Sequence, residues 1–172
     1  DNLPLWDLLL LTLRALNTAY QGATEQSPQN QRSLPPASES EASTTFNRVD
    51  PQLLLCWFEL HLLGATGFQP QLFHCLACNE PLTAVTNFLS LEDGGVFCPR
   101  CASGQDNVEP LEADVLKILR HLQRSGWSEV QSLRVRPFIL HATETILYRY
   151  LITVLERQLK SVTFLRKLQS TF

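Results

Sequence analysis

The chain has 172 residues, 44% of them apolar and 18% charged, which is the composition of a globular domain long enough to bury a core. No basic segment precedes an apolar run near the start, and LLLLTL is too short to span a bilayer, so neither a signal peptide nor a membrane anchor is read here. The net charge of −3 conceals a polarity: residues 1–109 carry 4 Lys+Arg against 12 Asp+Glu, whereas residues 110–172 carry 10 against 5.

The opening DNLPLW reads as the interior of a longer protein. Residues 4–20 predict a helix, with Pro4 in its first turn, Leu5, Leu8, Leu9, Leu13 and Leu16 at helical spacing, and Gly22 as a stop. Residues 22–48 are dominated by Ser, Thr, Gln, Glu and Pro. They have too little to bury to offset their ordering entropy and read as a mobile surface loop. Asp50-Pro51 supplies an N-cap and a first helical residue. The helix they start runs to Gly64 or Gly67 and is apolar almost all round from Leu53 to Leu63, as a central core helix is. Cys56 within it reads as a small buried hydrophobe, and Glu59 and His61 as its polar edge.

Further on, Pro110 is expected to open a helix that ends at Gly126, with Glu112 and Asp114 near its start and Arg120, His121 and Arg124 near its end. WSEVQSLRVR reads as a linker. A long helix follows from Pro137 to Leu159, and Ser161 is expected to cap a separate short one carrying Phe164, Leu165 and Leu168.

Four of the five cysteines form two CxxC pairs, Cys75/Cys78 and Cys98/Cys101, at zinc-ribbon separation. A CxxC turn sets two sulfurs on one side of a tight loop, and two such knuckles meet around a tetrahedral ion. Between them, Asp93-Gly94-Gly95 divides two short apolar runs, which is a hairpin signal. The expected cofactor is therefore Zn2+ in a closed, structural site. Catalytic zinc keeps an open position, which would require His74 or another group to displace a cysteine. A redox CxxC would need a thioredoxin-like βαβ context that the sequence lacks, and an iron–sulfur cluster suits the paired knuckles less well. Paired CxxC motifs also point to a reducing compartment. The fold class expected is mainly α: a helical bundle with an inserted four-cysteine zinc knuckle, residues 72–104, containing a short β-hairpin.

No GxGxxG, P-loop, HExxH or GxSxG motif is present, and the four histidines are scattered, so the residues favour binding over catalysis.

The string WFELHLLGATGFQPQLFHCLACNEPL, then GGVFCPRC, then RYLITVLERQLKSVTFLRKL, resembles in order the C-terminal domain of the bacterial recombination mediator family RecO. The resemblance covers most of the chain, apart from the 22–48 segment. It implies a single helical domain over 1–172 that normally follows an OB-fold, here absent. It implies a cytoplasmic, nucleoid-associated DNA repair and homologous recombination mediator, not an enzyme. Such proteins anneal strands and help load the recombinase. Implied partners are the acidic tail of single-strand-binding protein, the recombination protein RecR, and single- and double-stranded DNA met mainly through the OB-fold. A stand-alone zinc-ribbon interaction module is the alternative.

The binding surface is expected in the basic C-terminal third. Arg149 and Arg157, eight residues apart, and Lys160, eleven from Arg149, are expected to share a helix face, with Arg166 and Lys167 extending it. Tyr148, Tyr150, Phe164 and Leu165 are candidate walls of an adjoining apolar pocket.

Overall fold

Asp50 opens the helix at the centre of the fold. The computed structural model describes residues 4–24 and 50–169, with side chains described over 4–20 and 50–160. Asp50 Oδ1 accepts from the N–H groups of Gln52 (3.0 Å) and Leu53 (3.4 Å), and Pro51 takes the first helical position of α2, Pro51–Ala65. Leu53, Leu54, Cys56, Trp57, Leu60 and Leu63 of α2 are buried, so the expected core helix is present. Trp57 is its anchor. The ring is fully enclosed, lies 5.8 Å from Trp127 and 4.4 Å from His61, and its Nε1–H donates to the Ser125 carbonyl at 2.8 Å. That bond satisfies the one polar atom of a large apolar group, which is what permits full burial.

α1, Leu5–Thr24, packs on α2. Its backbone continues through Gly22, which does not act as the expected stop, and the rest of the Ser/Gln-rich segment lies outside the described residues. Among the described side chains of α1 only Leu8 and Thr12 are buried, while Leu5, Leu9 and Leu13 of the expected apolar face are exposed. The helical spacing is legible in the sequence; how narrow a stripe of it α2 covers is not.

After α2 the chain turns through Gly67, whose φ of +83° suits glycine, into the knuckle. Strands β1 (Asn87–Ser90) and β2 (Gly95–Phe97) form the expected hairpin, pairing Phe88 with Phe97. Its turn is tied by Ser90, whose Oγ–H donates to Asp93 Oδ2 at 2.8 Å and accepts from the Asp93 N–H at 3.1 Å. Gly94 has φ +72° and lies against Tyr150: an added Cβ would stand 2.9 Å from the phenol oxygen.

A third strand, β3 (Val108–Leu111), pairs antiparallel with β1, giving the order β2-β1-β3. The expectation that Pro110 opens a helix is therefore corrected. Pro110 lies opposite Phe88 in an edge strand, and helix α4 (Ala113–Arg124) begins beyond it with Glu112 at its N-cap. Proline fits both places, because its fixed φ suits a first helical turn and its missing N–H is tolerated on an open strand edge. The sheet thus reaches Leu111, past residue 104. On the far edge, Gln71 covers β2, donating to the Gly94 carbonyl (2.9 Å) and accepting from the Val96 N–H (3.1 Å). Pro99–Ala102 form a single helical turn, α3.

α4 buries Val115, Leu116, Leu119 and Leu122. The stretch expected as a linker contains a short helix, α5 (Trp127–Val130), with Trp127 and Val130 in the core. α6 is one continuous helix, Pro137–Gln169, so the expected break at Ser161 is absent. Its first half buries Ile139, Leu140, Thr143, Leu147 and Tyr150 while packing on α2 and α4. By length and composition α6 could cross a membrane. One such helix does not by itself indicate a membrane protein, and its first half packs on α2 and α4. From Leu155 to Lys160 every side chain is exposed.

Candidate metal centre and basic surface

Both CxxC turns point their sulfurs inward. The Sγ atoms of Cys75, Cys78, Cys98 and Cys101 all lie within 4.8 Å of one another, with Cys78 and Cys98 4.0 Å apart. A tetrahedral ion with metal–sulfur bonds of about 2.3 Å needs sulfurs roughly 3.8 Å apart, so the set closes around an ion with little adjustment. The first turn is tightened by Asn79, held at φ +59°, whose N–H donates to the Cys75 carbonyl at 2.9 Å. In the second, the Cys101 and Ala102 N–H groups both donate to the Cys98 carbonyl at 3.0 Å. Backbone donors also face the sulfurs, as in the Cys98 N–H to Cys75 Sγ contact of 3.3 Å.

These donors set the protonation pattern. Burial opposes ionisation of Cys75, but the amides of Cys78, Cys98 and Ala77 outweigh it and bring the thiol down to about 6. The Cys101 amide likewise lowers Cys98. Cys101 is pushed up to about 12, because its proton is shared with Cys98 and Cys78. A divalent cation held by Cys75, Cys78, Cys98 and Cys101 would replace that proton sharing and favour all four as thiolates, the form that binds metal. The four-cysteine set therefore fits a metal ion. His74 is not part of the four-sulfur cluster; its backbone bridges to Pro81. Cys56 stands apart, buried in α2, with burial first and then Glu59 and Glu144 pushing its thiol up to about 12. That is an inert core cysteine.

The helical body grips the knuckle largely by its backbone carbonyls. Arg120 of α4 donates from Nε to Leu72 O at 2.7 Å and from Nη2 to Leu82 O at 3.2 Å, and Gln123 Nε2 donates to Pro70 O at 2.9 Å. From α6, the Tyr150 hydroxyl donates to Phe68 O at 3.0 Å, and Arg157 donates to Glu92 O. No sequence motif marks Arg120 as the clamp; it lies at the border of the apolar face of α4, next in sequence to Leu119.

The basic residues expected to form a binding face are placed as follows. Arg149 is ion-paired with Glu109 of β3 at 2.5 Å. Arg157 reaches the β1–β2 turn. The two line different grooves on either side of α6, so the expected common face is divided by the knuckle. The eight-residue spacing leaves about 80° between them at 100° per residue, enough for each to find a different neighbour. Lys160 is exposed. Arg166 and Lys167 lie on the α6 backbone, and their side chains, like those of Phe164 and Leu165, are outside the described residues. Of the expected apolar walls, Tyr150 is buried and Tyr148 is 63% exposed. Tyr148 is joined by Ile152, Leu155 (56%) and Leu159 (68%), an exposed row at spacings of four, three and four.

Residues 45–163 match the family model "Recombination protein O C terminal". Among curated proteins, the chain is 33% identical over 123 residues to a DNA repair protein RecO of Dehalococcoides mccartyi (strain CBDB1), covering 72% of this chain and 48% of that protein. It is 41% identical over 113 residues to the DNA repair protein RecO of Roseiflexus sp. (strain RS-1), covering 66% and 40%. A more distant relative, from Desulforamulus reducens, is 26% identical over 117 residues, 68% of this chain and 46% of that protein. The chain thus spans less than half the length of these relatives, and no solved structure matches it. The ordered elements, the knuckle between α2 and α4 and the match over 45–163 agree: the chain belongs to the RecO family and carries its C-terminal domain.

Proposed function

We propose that this chain is the helical part of a DNA repair and homologous recombination mediator, acting in the cytoplasm by binding rather than by catalysis. Its knuckle holds a structural Zn2+ on Cys75, Cys78, Cys98 and Cys101. Four thiolates fill a tetrahedral shell and leave no position for a substrate or an activated water. In the whole protein, together with an OB-fold, the domain supports strand annealing and recombinase loading, in company with RecR and with single- and double-stranded DNA.

The observation that carries the binding role is the exposed row Tyr148, Ile152, Leu155 and Leu159 on α6, which ends next to the exposed Lys160, while Arg157 faces the knuckle. An exposed apolar row ending next to a cation suits the acidic, hydrophobic-ended tail of single-strand-binding protein: the row takes the apolar end and Lys160 takes a carboxylate. A stand-alone zinc-ribbon module fits less well, because the knuckle is bound into the helical body through Arg120, Gln123, Tyr150 and Arg157.

Lys160→Glu is expected to weaken binding of a tail peptide roughly five-fold, corresponding to about 1 kcal/mol for one rim charge, and Leu155→Ser to weaken it further. Calorimetric titration of the metal-loaded chain checks this. Unchanged affinity in both variants would remove α6 as the tail site.

A further inference from the structure

Three grooves of similar size in the described surface differ in charge. The two beside α6, of about 430 and 400 Å3, contain carboxylates: Glu92, Glu109 and Glu156 in one, Asp93 in the other. The third, of about 460 Å3, lies between the C-terminal end of α4 and the segment leading into the first CxxC turn. Gln69, Gln71, Phe73, His74, Gln123 and Arg124 line it, with no carboxylate among its lining residues.

The Arg124 guanidinium carbon stands 3.8 Å from the centre of the Phe73 ring, and that of Arg120 stands 5.5 Å away. Arg120 is held by two carbonyls, which solvate its charge without cancelling it. No described ion pair gives either arginine a carboxylate partner. Burial and the charge of Arg124 both push the Arg120 pKa down, as expected where two like charges lack a counter-charge. Lys117, exposed, lies three residues before Arg120 and seven before Arg124, on the same side of α4. In a chain of net charge −3, this is a local excess of positive charge beside an aromatic ring.

The chemistry that uses such a site is narrow. Uncancelled guanidinium charge calls for an anion, a planar arginine–phenylalanine stack offers a face to another flat ring, and carboxamides at the rim suit the edges of a base. The volume falls within the range of small-ligand pockets, about 300–1,000 Å3. An acidic peptide with an apolar end would find one ring here, against a row of four exposed apolar side chains on α6. We infer that this groove is a nucleotide-sized contact for single-stranded DNA, with backbone phosphate on Arg124 and Lys117 and a base stacked on the Arg124–Phe73 pair. The inference rests on the reading of the chain as a DNA repair domain, but places the DNA contact away from α6, so that a tail peptide and a DNA strand have separate seats.

Anisotropy of a labelled oligothymidylate, titrated with the metal-loaded chain at two salt concentrations, tests it. Arg124→Glu is expected to weaken binding at least roughly ten-fold and to flatten the salt dependence by about 0.7 in log–log slope for each phosphate no longer neutralised. Phe73→Leu is expected to weaken binding about ten-fold, within the 1–3 kcal/mol range for one stacked base, with the slope kept. Arg124→Lys should keep the slope and lose part of the affinity, which separates charge from stacking. Lys160→Glu should leave DNA binding within about two-fold while impairing the tail peptide. Metal content and thermal midpoint report that each variant is folded. The inference is overturned if the wild-type chain does not bind the oligonucleotide at low salt, or if folded Arg124→Glu matches it in affinity and slope. It is equally overturned if Lys160→Glu alone abolishes DNA binding. The first two results leave tail-peptide binding by α6 untouched, and the third moves DNA onto α6, so the two readings fail distinguishably.

Discussion

Replacing Cys78 with serine is expected to remove the metal and to lower the stability of the domain by several kcal/mol. The loss should exceed that of any surface substitution. Binding free energies of structural zinc sites in peptides are about 10–16 kcal/mol, and most of that is folding free energy of the module around the ion. A hydroxyl in place of the thiol removes one ligand from a closed set, and the other three sulfurs, now crowded within 4.8 Å, are left to share protons. The damage should spread. The carbonyls of Phe68, Leu72, Leu82 and Glu92, which receive the helical body, are all carried by the segments around the cluster. Denaturant unfolding with and without a chelator checks the prediction. Wild type with chelator should approach Cys78→Ser, and the variant should not respond to chelator. A variant as stable as wild type and still holding one metal per chain would mean that Cys78 is not a ligand.

Arg120→Ala is expected to cost about 2–4 kcal/mol with the metal still bound. The substitution removes two charge-assisted hydrogen bonds and leaves the Leu72 and Leu82 carbonyls without their donor between α4 and the knuckle. It also removes one of the two guanidinium groups over Phe73. Arg120→Lys should recover only part of the loss, because a single ammonium on a flexible stem cannot reproduce the fixed fork that reaches two carbonyls at once. Unfolding of both variants at equal metal occupancy measures the difference. If Arg120→Ala unfolds with wild type, the seat of the knuckle on α4 is held by apolar packing alone.

The parts of this fold legible in the sequence are those specified over a few residues. Asp50-Pro51 predicts the start of α2, and the same residues cap it through Asp50 Oδ1. The CxxC spacings predict the cluster, and Asp93-Gly94-Gly95 predicts the hairpin; the structure has both. What failed depends on partners distant in sequence. Pro110 satisfies the local rules for a first helical turn, and only its pairing with Phe88 makes it part of a strand. Trp127 sits in a polar-looking stretch and becomes core because Trp57, seventy residues earlier, offers it a surface. Ser161 has the chemistry of an N-cap, but the backbone continues helical through it. The basic residues of α6 illustrate the same limit. Counting charges located the cationic third of the chain, but not that Glu109 would take Arg149 or that the Glu92 carbonyl would take Arg157. The groove at Arg124 was invisible for the complementary reason: its distinguishing property is the lack of carboxylates around two arginines, and that is a fact about neighbours in space.

The measurement that bears most directly on the domain as a binding module with a structural metal is X-ray absorption at the zinc edge on chain purified with its metal. Four sulfur scatterers at about 2.3 Å, with no oxygen or nitrogen bound to the ion, are expected. Three sulfurs with an oxygen or an imidazole nitrogen would open the coordination shell to a substrate, and would contradict both the closed knuckle and the reading of this domain as one that binds without catalysing.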